Sequence, residues 1–263
     1  MNRLLVCADD FGLTESVNKA ILDIYNNGNL NLTSIMVNMP GTENAFIIAN
    51  KNKFLNIGLH FNITEGKSIL GISTLTNKYG VFYPRNILLK KILLGKINLN
   101  DIKNEFLGQL VKCQENGLLI KTIDSHQHVH LIPAIYNIIS PEILKRNLSL
   151  RSCYANINFS LKRINHILTN FYLYKSRRQN IFRNSIITSI HHHGKLFDRH
   201  KYKNITNLLI DKFKITELMI HPYINSDDLL NLYKDEIVIK KKFLEACFNE
   251  YNVLSKYKIF DLN

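Results

Sequence analysis

The sequence predicts an α/β protein in which a parallel sheet closes into a barrel. Short apolar runs alternate with longer amphipathic segments along the 263 residues, a pattern typical of parallel sheets. Candidate reactive side chains lie at the carboxyl ends of four separate predicted strands, at Asp9 and Asp10, His60, His126 and His221. Because the active sites of α/β barrels lie at the carboxyl ends of several strands, this distribution favours a barrel over an open sheet.

The predicted elements follow this alternation in order. The first strand, at 3–8, is a continuous apolar run, and a helix with apolar residues at helical spacing begins at Glu15 and stops before Gly28. Further strands are predicted at 32–38, 56–61, 120–125, 148–151, 216–221 and 258–262. Further helices are predicted at 42–49, 87–94, 99–116, 133–146, 204–213 and 235–256. The stretch 64–83 is rich in Gly, Ser and Thr, and we expect it to be a loop that shapes a cleft.

One domain is expected to contain the whole chain, because neither a linker nor an internal repeat interrupts it. No apolar run reaches the roughly 18 residues of a membrane span, and the run before Asp9 is too short for a secretory signal. The cysteines show no paired spacing, which predicts a reduced, cytoplasmic protein without disulfides or a thiolate metal site. They are Cys7, Cys113, Cys153 and Cys247.

The formal net charge of +13 is concentrated in one part of the chain. Residues 145–203 contain thirteen Lys and Arg residues and a single acid, Asp198. One interpretation is a solvated basic face. The other is attraction to an anionic partner, which would be a phosphorylated substrate, a lipid headgroup or a nucleic acid. Nucleic acid is disfavoured because no recognisable binding motif accompanies the charge.

The most informative motif is the pair Asp9-Asp10 at the end of the first predicted strand. Adjacent carboxylates repel each other, and chains tolerate them where a metal ion or a proton transfer needs the charge. A turn or a helix cap is the alternative interpretation. His60 and His126 favour the metal, since one carboxylate, two imidazoles and an open position for water make a catalytic divalent-metal site.

Such a site would activate water, and a neighbouring carboxylate would accept its proton. His221, which precedes Pro222, would protonate the leaving group. Two imidazoles and a carboxylate favour zinc, cobalt or manganese, whereas an open, water-rich site also suits magnesium. His126, His128 and His130 alternate, so on a continued strand they would face one side. The run 191–193 is interpreted as a surface or loop feature.

Four segments of the chain resemble those of the YdjC-like carbohydrate deacetylases, which include chitooligosaccharide deacetylases and the hopanoid-pathway deacetylase. The segments are Ala8-Asp9-Asp10-Phe11-Gly12, Gly58-Leu59-His60-Phe61-Asn62-Ile63-Thr64-Glu65-Gly66, Asp124-Ser125-His126-Gln127-His128-Val129-His130 and Met219-Ile220-His221-Pro222-Tyr223. They occur in the family's order, and the resemblance spans essentially the whole chain.

The resemblance implies an irregular, TIM-like (β/α) barrel over residues 1–263 that hydrolyses N-acetyl groups of an acetylated sugar. It implies one divalent metal ion, Mg²⁺ or Zn²⁺, with Asp10, His60 and His126 as its ligands. Asp9 matches the general base, and His221 matches the residue that acts as an acid or orients the substrate. The positions expected to bind substrate are His128, His130, Asn62 and Glu65.

Residues 152–202 match none of these family segments and form a basic, insertion-like segment. Its charge predicts a sugar substrate that is anionic or lipid-linked, and a peripheral contact with a membrane surface. A homodimer is the default expectation for the oligomeric state. Two alternative functions stay open, namely a metal hydrolase of another small ester or phosphoester and a non-catalytic barrel that binds an anionic glycan or lipid.

Overall fold

The computed structural model describes residues 3–52, 55–153, 181–189, 200 and 215–260. The chain divides into two compact units. The first unit comprises residues 1–35, 40–56 and 184–263, and the second unit comprises 36–39 and 57–183. Most of the basic segment 152–202, the histidines 191–193 and the predicted helix 204–213 lie outside the described residues.

The described residues form seven strands and seven helices. The strands are β1 (Arg3–Phe11), β2 (Leu32–Ile35), β3 (Ile57–Phe61), β4 (Thr122–Ser125), β5 (Ser149–Leu150), β6 (Ile186–Thr188) and β7 (Ile215–Ile220). The helices are α1 (Glu15–Asn26), α2 (Thr42–Lys51), α3 (Arg85–Leu93), α4 (Leu99–Glu115), α5 (Pro133–Lys145), α6 (Asp227–Leu232) and α7 (Ile237–Leu254). A 3₁₀ segment, His126–Leu131, follows β4.

In the first unit the strands are parallel and lie in the order β2-β1-β7-β6. The pairing of β1 with β7 runs from Arg3 opposite Ile215 to Ala8 opposite Ile220. The middle of β1 is fully buried, which explains its uninterrupted apolar sequence. Thr14 caps α1 by accepting a hydrogen bond from the Val17 N–H. The residues that follow β1 and β7 therefore lie at the same edge of this sheet.

In the second unit β3, β4 and β5 are also parallel and lie in that order. His60 lies opposite Asp124, and Phe61 lies opposite Ser125. Gly58 lies so close to β4 that a Cβ atom there would overlap the side chain and carbonyl oxygen of Thr122. This glycine therefore permits the close approach of β3 and β4 that puts His60 beside Asp124.

The α/β prediction is confirmed, and most predicted elements are present with boundaries shifted by a few residues. The predicted strand at 258–262 is not formed at its described residues, 258–260. Instead the N–H groups of Ile259 and Phe260 donate to the side-chain oxygen of Asn29. The short strand β6 and the helix α6 were not predicted, because neither carries a clear periodic pattern.

The four cysteines form no disulfide with one another. Cys7, Cys113 and Cys247 are buried, and Cys153 is half-buried. Within the described part of the chain, no helix combines the length and the apolarity needed to cross a membrane.

Candidate functional site

The predicted site residues lie at or just beyond the carboxyl ends of strands in both units. The first unit contains Asp9, Asp10 and His221, and the second unit contains His60, Asn62, Glu65, His126, His128 and His130. Within each unit these residues lie at the carboxyl ends of parallel strands or in the loops that begin there. This is the edge at which α/β sheets place their reactive groups.

Asp9 and Asp10 are adjacent in sequence but differ in environment. Asp9 is buried, and its Oδ1 accepts hydrogen bonds from Ser34 Oγ at 3.4 Å and Cys7 Sγ at 3.7 Å. Asp10 is half-buried and has a left-handed backbone, with φ of 64°. A non-glycine residue in this region is uncommon, and such residues concentrate at functional sites. The two carboxylates are therefore distinguished by the backbone turn at the end of β1.

His221 directly follows β7, beside the end of β1. Its Nε2 lies 3.8 Å from Asp9 Oδ2. Its backbone N–H donates to Glu250 Oε2 at 2.6 Å, and its ring contacts the Phe243 ring edge-on. These contacts hold the imidazole next to the buried carboxylate of Asp9.

A small cavity of about 30 Å³ borders Asp9, Asp10 and His221. Its other walls are mostly aromatic and apolar, and include Tyr233 and Phe243. A space of this volume accommodates about one small group, and its apolar walls strengthen electrostatic interactions within it.

Cys247 also lines the cavity of the first unit. Burial, followed by the charges of Glu250 and Asp10, raises the pKa of its thiol well above the ordinary value. The neutral thiol is therefore the stable form near pH 7. A thiol that stays protonated is a poor nucleophile and a poor metal ligand, so Cys247 is not a candidate for either role.

In the second unit, His60 is oriented by a buried carboxylate. Its Nδ1 lies 2.6 Å from Asp124 Oδ1, and both side chains are almost fully inaccessible to solvent. An ionised carboxylate only accepts hydrogen bonds, so Nδ1 carries the proton and the lone pair is on Nε2. This is the arrangement in which a histidine binds a metal while its other nitrogen is held by a carboxylate.

Two buried guanidinium groups hold the second oxygen of Asp124. Arg151 Nη2 lies 3.1 Å and Arg183 Nη2 lies 2.8 Å from Oδ2. Burial would raise the pKa of Asp124, but the charges of Arg151 and Arg183 and the hydrogen bond from His60 hold it well below its usual range. Asp124 is therefore an anion with a fixed orientation.

Sequence reasoning missed the role of Arg151 and Arg183, which it counted only as members of the basic stretch. Arg183 lies 59 residues from Asp124 in sequence, and no local pattern joins them. The backbone brings Arg183 into place because its N–H donates to the Leu150 carbonyl at 2.8 Å, beside β5. In the sequence, the role of Arg151 is indicated only by its position at the end of the strand predicted at 148–151.

His126 begins the turn after β4 and is also paired with a carboxylate. Its Nε2 lies 2.9 Å from Glu65 Oε2, so Nε2 carries the proton and Nδ1 the lone pair. The rings of His60 and His126 meet edge-on, with centroids 5.7 Å apart. The second unit therefore holds two carboxylate-oriented imidazoles side by side, and this donor chemistry fits a divalent metal ion.

The alternating histidines after β4 do not continue a strand. Gln127 and His128 both have left-handed backbones, with φ of 52° and 54°, and the chain turns into the 3₁₀ segment. His126, His128 and His130 therefore do not share one face as they would on an extended strand. The prediction that His128 binds substrate remains a prediction.

His130 is fully buried and binds other parts of the protein. Its Nε2 lies 3.1 Å from the Arg151 carbonyl oxygen, so Nε2 donates, and Nδ1 accepts from Ser125 Oγ at 2.5 Å. Burial is the main cause that lowers the pKa of His130 to about 3. The neutral imidazole joins the end of β4 to the chain beyond β5, and its predicted contact with substrate remains a prediction.

Asn62 shapes the loop that carries Glu65. Its Nδ2 donates to the Glu65 carbonyl at 2.8 Å and to Asn38 Oδ1 at 3.0 Å, and its Oδ1 accepts from the N–H groups of Thr64 and Glu65. The buried amide therefore fixes the backbone from which Glu65 reaches His126. Substrate contacts of Asn62 and Glu65 stay predictions.

Comparison with known proteins gives one family and several relatives. A family model described as YdjC-like protein matches residues 3–259. A carbohydrate deacetylase of Thermoanaerobacter pseudethanolicus is 28% identical over 256 residues, covering 93% of this chain and 91% of the relative. A carbohydrate deacetylase of Clostridium beijerinckii is 31% identical over 57% of this chain. A chitooligosaccharide deacetylase of Serratia marcescens is 33% identical over 56% of this chain.

The matches to the Clostridium and Serratia proteins span only 59% and 58% of those relatives. The fold as a whole is shared with a crystal structure of an Enterococcus faecalis protein named as a candidate cellobiose-phosphate cleavage protein. The TM-score is 0.77 at 20% sequence identity, and the match covers 98% of this chain and 93% of the other. At this identity the similarity concerns the fold alone.

Proposed function

The chain belongs to the YdjC-like protein family, and we propose that it is a metal-dependent hydrolase that removes N-acetyl groups from an acetylated sugar. The observation that carries the proposal is the pair of imidazoles in the second unit, His60 and His126, each held by a carboxylate. Carboxylate–histidine pairs of this kind orient metal ligands in hydrolases. The relatives named as carbohydrate deacetylases support the acetylated sugar as the substrate class.

The proposed metal ligands are Asp10, His60 and His126. In an irregular, TIM-like barrel the carboxyl ends of all strands face one cleft, which would bring the half-buried carboxylate of Asp10 to the two imidazoles. A divalent ion held there, Mg²⁺ or Zn²⁺, would supply activation of water and polarisation of the acetamide carbonyl. The left-handed backbone of Asp10 supports its role, because non-glycine residues in this conformation concentrate at functional sites.

Asp9 is the proposed general base. Its carboxylate is buried and held by Ser34 and Cys7, which fixes its position for accepting a proton from the attacking water. His221 is the proposed acid, which would donate a proton to the departing amine, and the 3.8 Å distance from its Nε2 to Asp9 supports this role. The apolar cavity beside both residues suits the methyl group of the acetyl substituent.

The sugar itself is proposed to be anionic or lipid-linked. The excess of positive charge in residues 145–203 supports this, because a basic surface attracts phosphate and carboxylate groups. Four cysteines without a disulfide support a reducing, cytoplasmic compartment. Membrane contact through residues 152–202 and a homodimer stay predictions.

Replacing Asp10 or His126 by Ala is expected to abolish both metal binding and acetate release. Metal content after dialysis and acetate released from N-acetylglucosamine oligomers are the two measurements. Glu142→Gln is the matched control, because Glu142 is a carboxylate on α5 that is paired with Lys103 and Arg146. Full acetate release by either alanine variant would refute the ligand assignment. Hydrolysis of simple esters without acetate release from sugars would instead favour the ester hydrolase.

Asp9→Asn is expected to separate proton transfer from metal binding. The variant should keep its metal, while kcat for acetate release falls by about 10²–10⁴, the usual contribution of a general base. Asp10→Asn should lose the metal under the same conditions. Equal loss of metal in the two variants would show that both carboxylates are ligands and that the base lies elsewhere.

A further inference from the structure

The solvent-facing side of α3 is both apolar and basic. Ile87, Lys90, Lys91 and Leu94 follow one another at helical spacing and share one face of the helix. Leu88 lies on the opposite side and is fully buried. Lys90 is exposed, and Lys91 lies with its ammonium group 4.4 Å from the centre of the Tyr83 ring. The outer face of a surface helix is typically polar, so the isoleucine and the leucine on this face of α3 are unusual.

The end of α3 projects two leucines into solvent. Leu93 is 85% exposed and Leu94 is 57% exposed. Gly95 then reverses the chain with φ of 66°, and Ile97 is buried again. The chain therefore returns to the core within three residues and leaves the two leucines outside it.

The preceding loop presents further large apolar side chains. Ile72 is 72% and Tyr79 is 68% exposed. The loop meets the chain just beyond α3, where the Asn98 N–H donates to Thr74 Oγ1 at 2.9 Å. The loop residues 70–79 and the helix residues 87–96 therefore belong to neighbouring parts of one surface, which we term the α3 surface.

The α3 surface lies in a stretch without acidic residues. Residues 66–100 contain no Asp or Glu, and their basic residues are Lys67, Lys78, Arg85, Lys90, Lys91 and Lys96. The next acid, Asp101, is bound to the backbone and hydroxyl of Thr74. The positive field of the surface is therefore not cancelled by acids within this stretch.

We propose that the α3 surface docks the protein onto an anionic lipid bilayer. A bilayer interface is the partner that rewards both properties, because the leucines enter the boundary of the acyl chains while the lysines face lipid phosphates. A second copy of the chain is a poorer partner, because a twofold contact would place these lysines against themselves. Single-stranded nucleic acids prefer aromatic platforms to exposed aliphatic side chains.

The test is co-sedimentation of the full chain with vesicles of phosphatidylcholine alone or mixed with phosphatidylglycerol. Binding is expected only to the mixed vesicles and should weaken as salt rises. The double variant Lys90→Gln/Lys91→Gln should bind about 10–30-fold more weakly, since each cation near an anionic surface raises the affinity about fivefold. The double variant Leu93→Ser/Leu94→Ser should also bind at least about tenfold more weakly.

Two control variants remove exposed lysines and an exposed leucine elsewhere. Lys241→Gln/Lys242→Gln removes two exposed charges from α7, and Leu119→Ser removes a leucine that is also exposed. Both controls should bind mixed vesicles like the unmodified protein. Equal binding by all variants, or no binding to mixed vesicles at low salt, would overturn the proposal. A dimer in sedimentation velocity that the Leu93 and Leu94 substitutions dissociate, without vesicle binding, would assign the surface to a second copy.

Discussion

The two carboxylate oxygens of Asp124 contact three buried side chains. Oδ1 accepts the hydrogen bond of His60, and Oδ2 faces the guanidinium groups of Arg151 and Arg183. Because the arginines engage Oδ2, Oδ1 keeps its position towards the imidazole. Two cations also make the carboxylate less basic, so the proton between it and His60 stays on the ring. Orientation of His60 is therefore the function that this geometry supports for Asp124.

Asp124→Asn is expected to lower the affinity for a divalent metal by about 10–100-fold, the usual effect of removing a carboxylate behind a metal-binding histidine. The amide can donate to Nδ1 and so favour the wrong tautomer of His60, with the proton on Nε2. Isothermal titration with Zn²⁺ measures the affinity. Glu142→Gln again serves as the control, because it removes a carboxylate that is also paired with two cations.

Asp124→Asn also leaves two buried guanidinium groups without their anion, so thermal unfolding must be recorded beside the titration. If that variant does not fold, Arg183→Gln tests the same idea, because it removes one cation and leaves Arg151 on Oδ2. A folded variant of either kind with unchanged zinc affinity would contradict the orienting role.

At the scale of elements, Asn29 joins the chain after α1 to the chain around the end of α7. Its Nδ2 donates to the carbonyl oxygens of Leu254 and Tyr257 at 2.7 and 2.6 Å, and its Oδ1 accepts from the N–H groups of Ile259 and Phe260. The buried amide thus ties the end of α7 to the chain that follows α1. Its Oδ1 also gives the N–H groups of Ile259 and Phe260 the acceptor that a neighbouring strand would supply if residues 258–260 formed a strand.

Asn29→Ala is expected to lower the free energy of unfolding by about 2–4 kcal/mol, because several buried backbone groups lose their partner at once. Asn27→Ala is the matched control, since Asn27 donates only one of these hydrogen bonds, to the Leu254 carbonyl at 2.9 Å. Its expected loss is about 1 kcal/mol. Denaturant unfolding measures the free energy of unfolding of both variants. Equal values for the two variants would show that the hydrogen bonds of Asn29 do not hold α7.

At the scale of the whole molecule, His130 makes stability depend on pH. Burial, with the nearby charges of Arg151 and Arg183, lowers its pKa to about 3 against the opposing effect of Asp124. An unfolded histidine has a pKa of about 6.5. Between these values the unfolded chain binds a proton that the folded protein excludes, so the folded protein loses stability as pH falls from about 6.5 to about 3.

The expected contribution of His130 is a loss of about 1.4 kcal/mol of unfolding free energy per pH unit within that window. His130→Gln removes the titration, so its stability should fall less steeply between about pH 6 and pH 4, whatever its absolute stability. Denaturant unfolding at several pH values measures the slope. Parallel pH profiles for the two proteins would contradict a neutral, buried His130.

Local chain chemistry was sufficient to place most of the strands and helices and to find the ends of β1, β3, β4 and β7 to within a few residues. Apolar runs and helical periodicity act over a few residues, so they can be recognised in the sequence. The same is true of Asp9, Asp10, His60, His126 and His221, because each lies beside a predicted strand end. These features needed no knowledge of distant contacts.

Long-range packing determined the partners of these side chains. The pairing of Arg183 with Asp124, the tautomers of His60 and His126, and the burial of His130 all depend on residues far apart in sequence. The capture of 258–260 by Asn29 also overrode a local pattern that predicted a strand, and the turn after β4 removed the common face that the alternating histidines would have on a continued strand. Hydrogen bonds and charges in a buried environment are strong enough to decide such details, and no local periodicity encodes them.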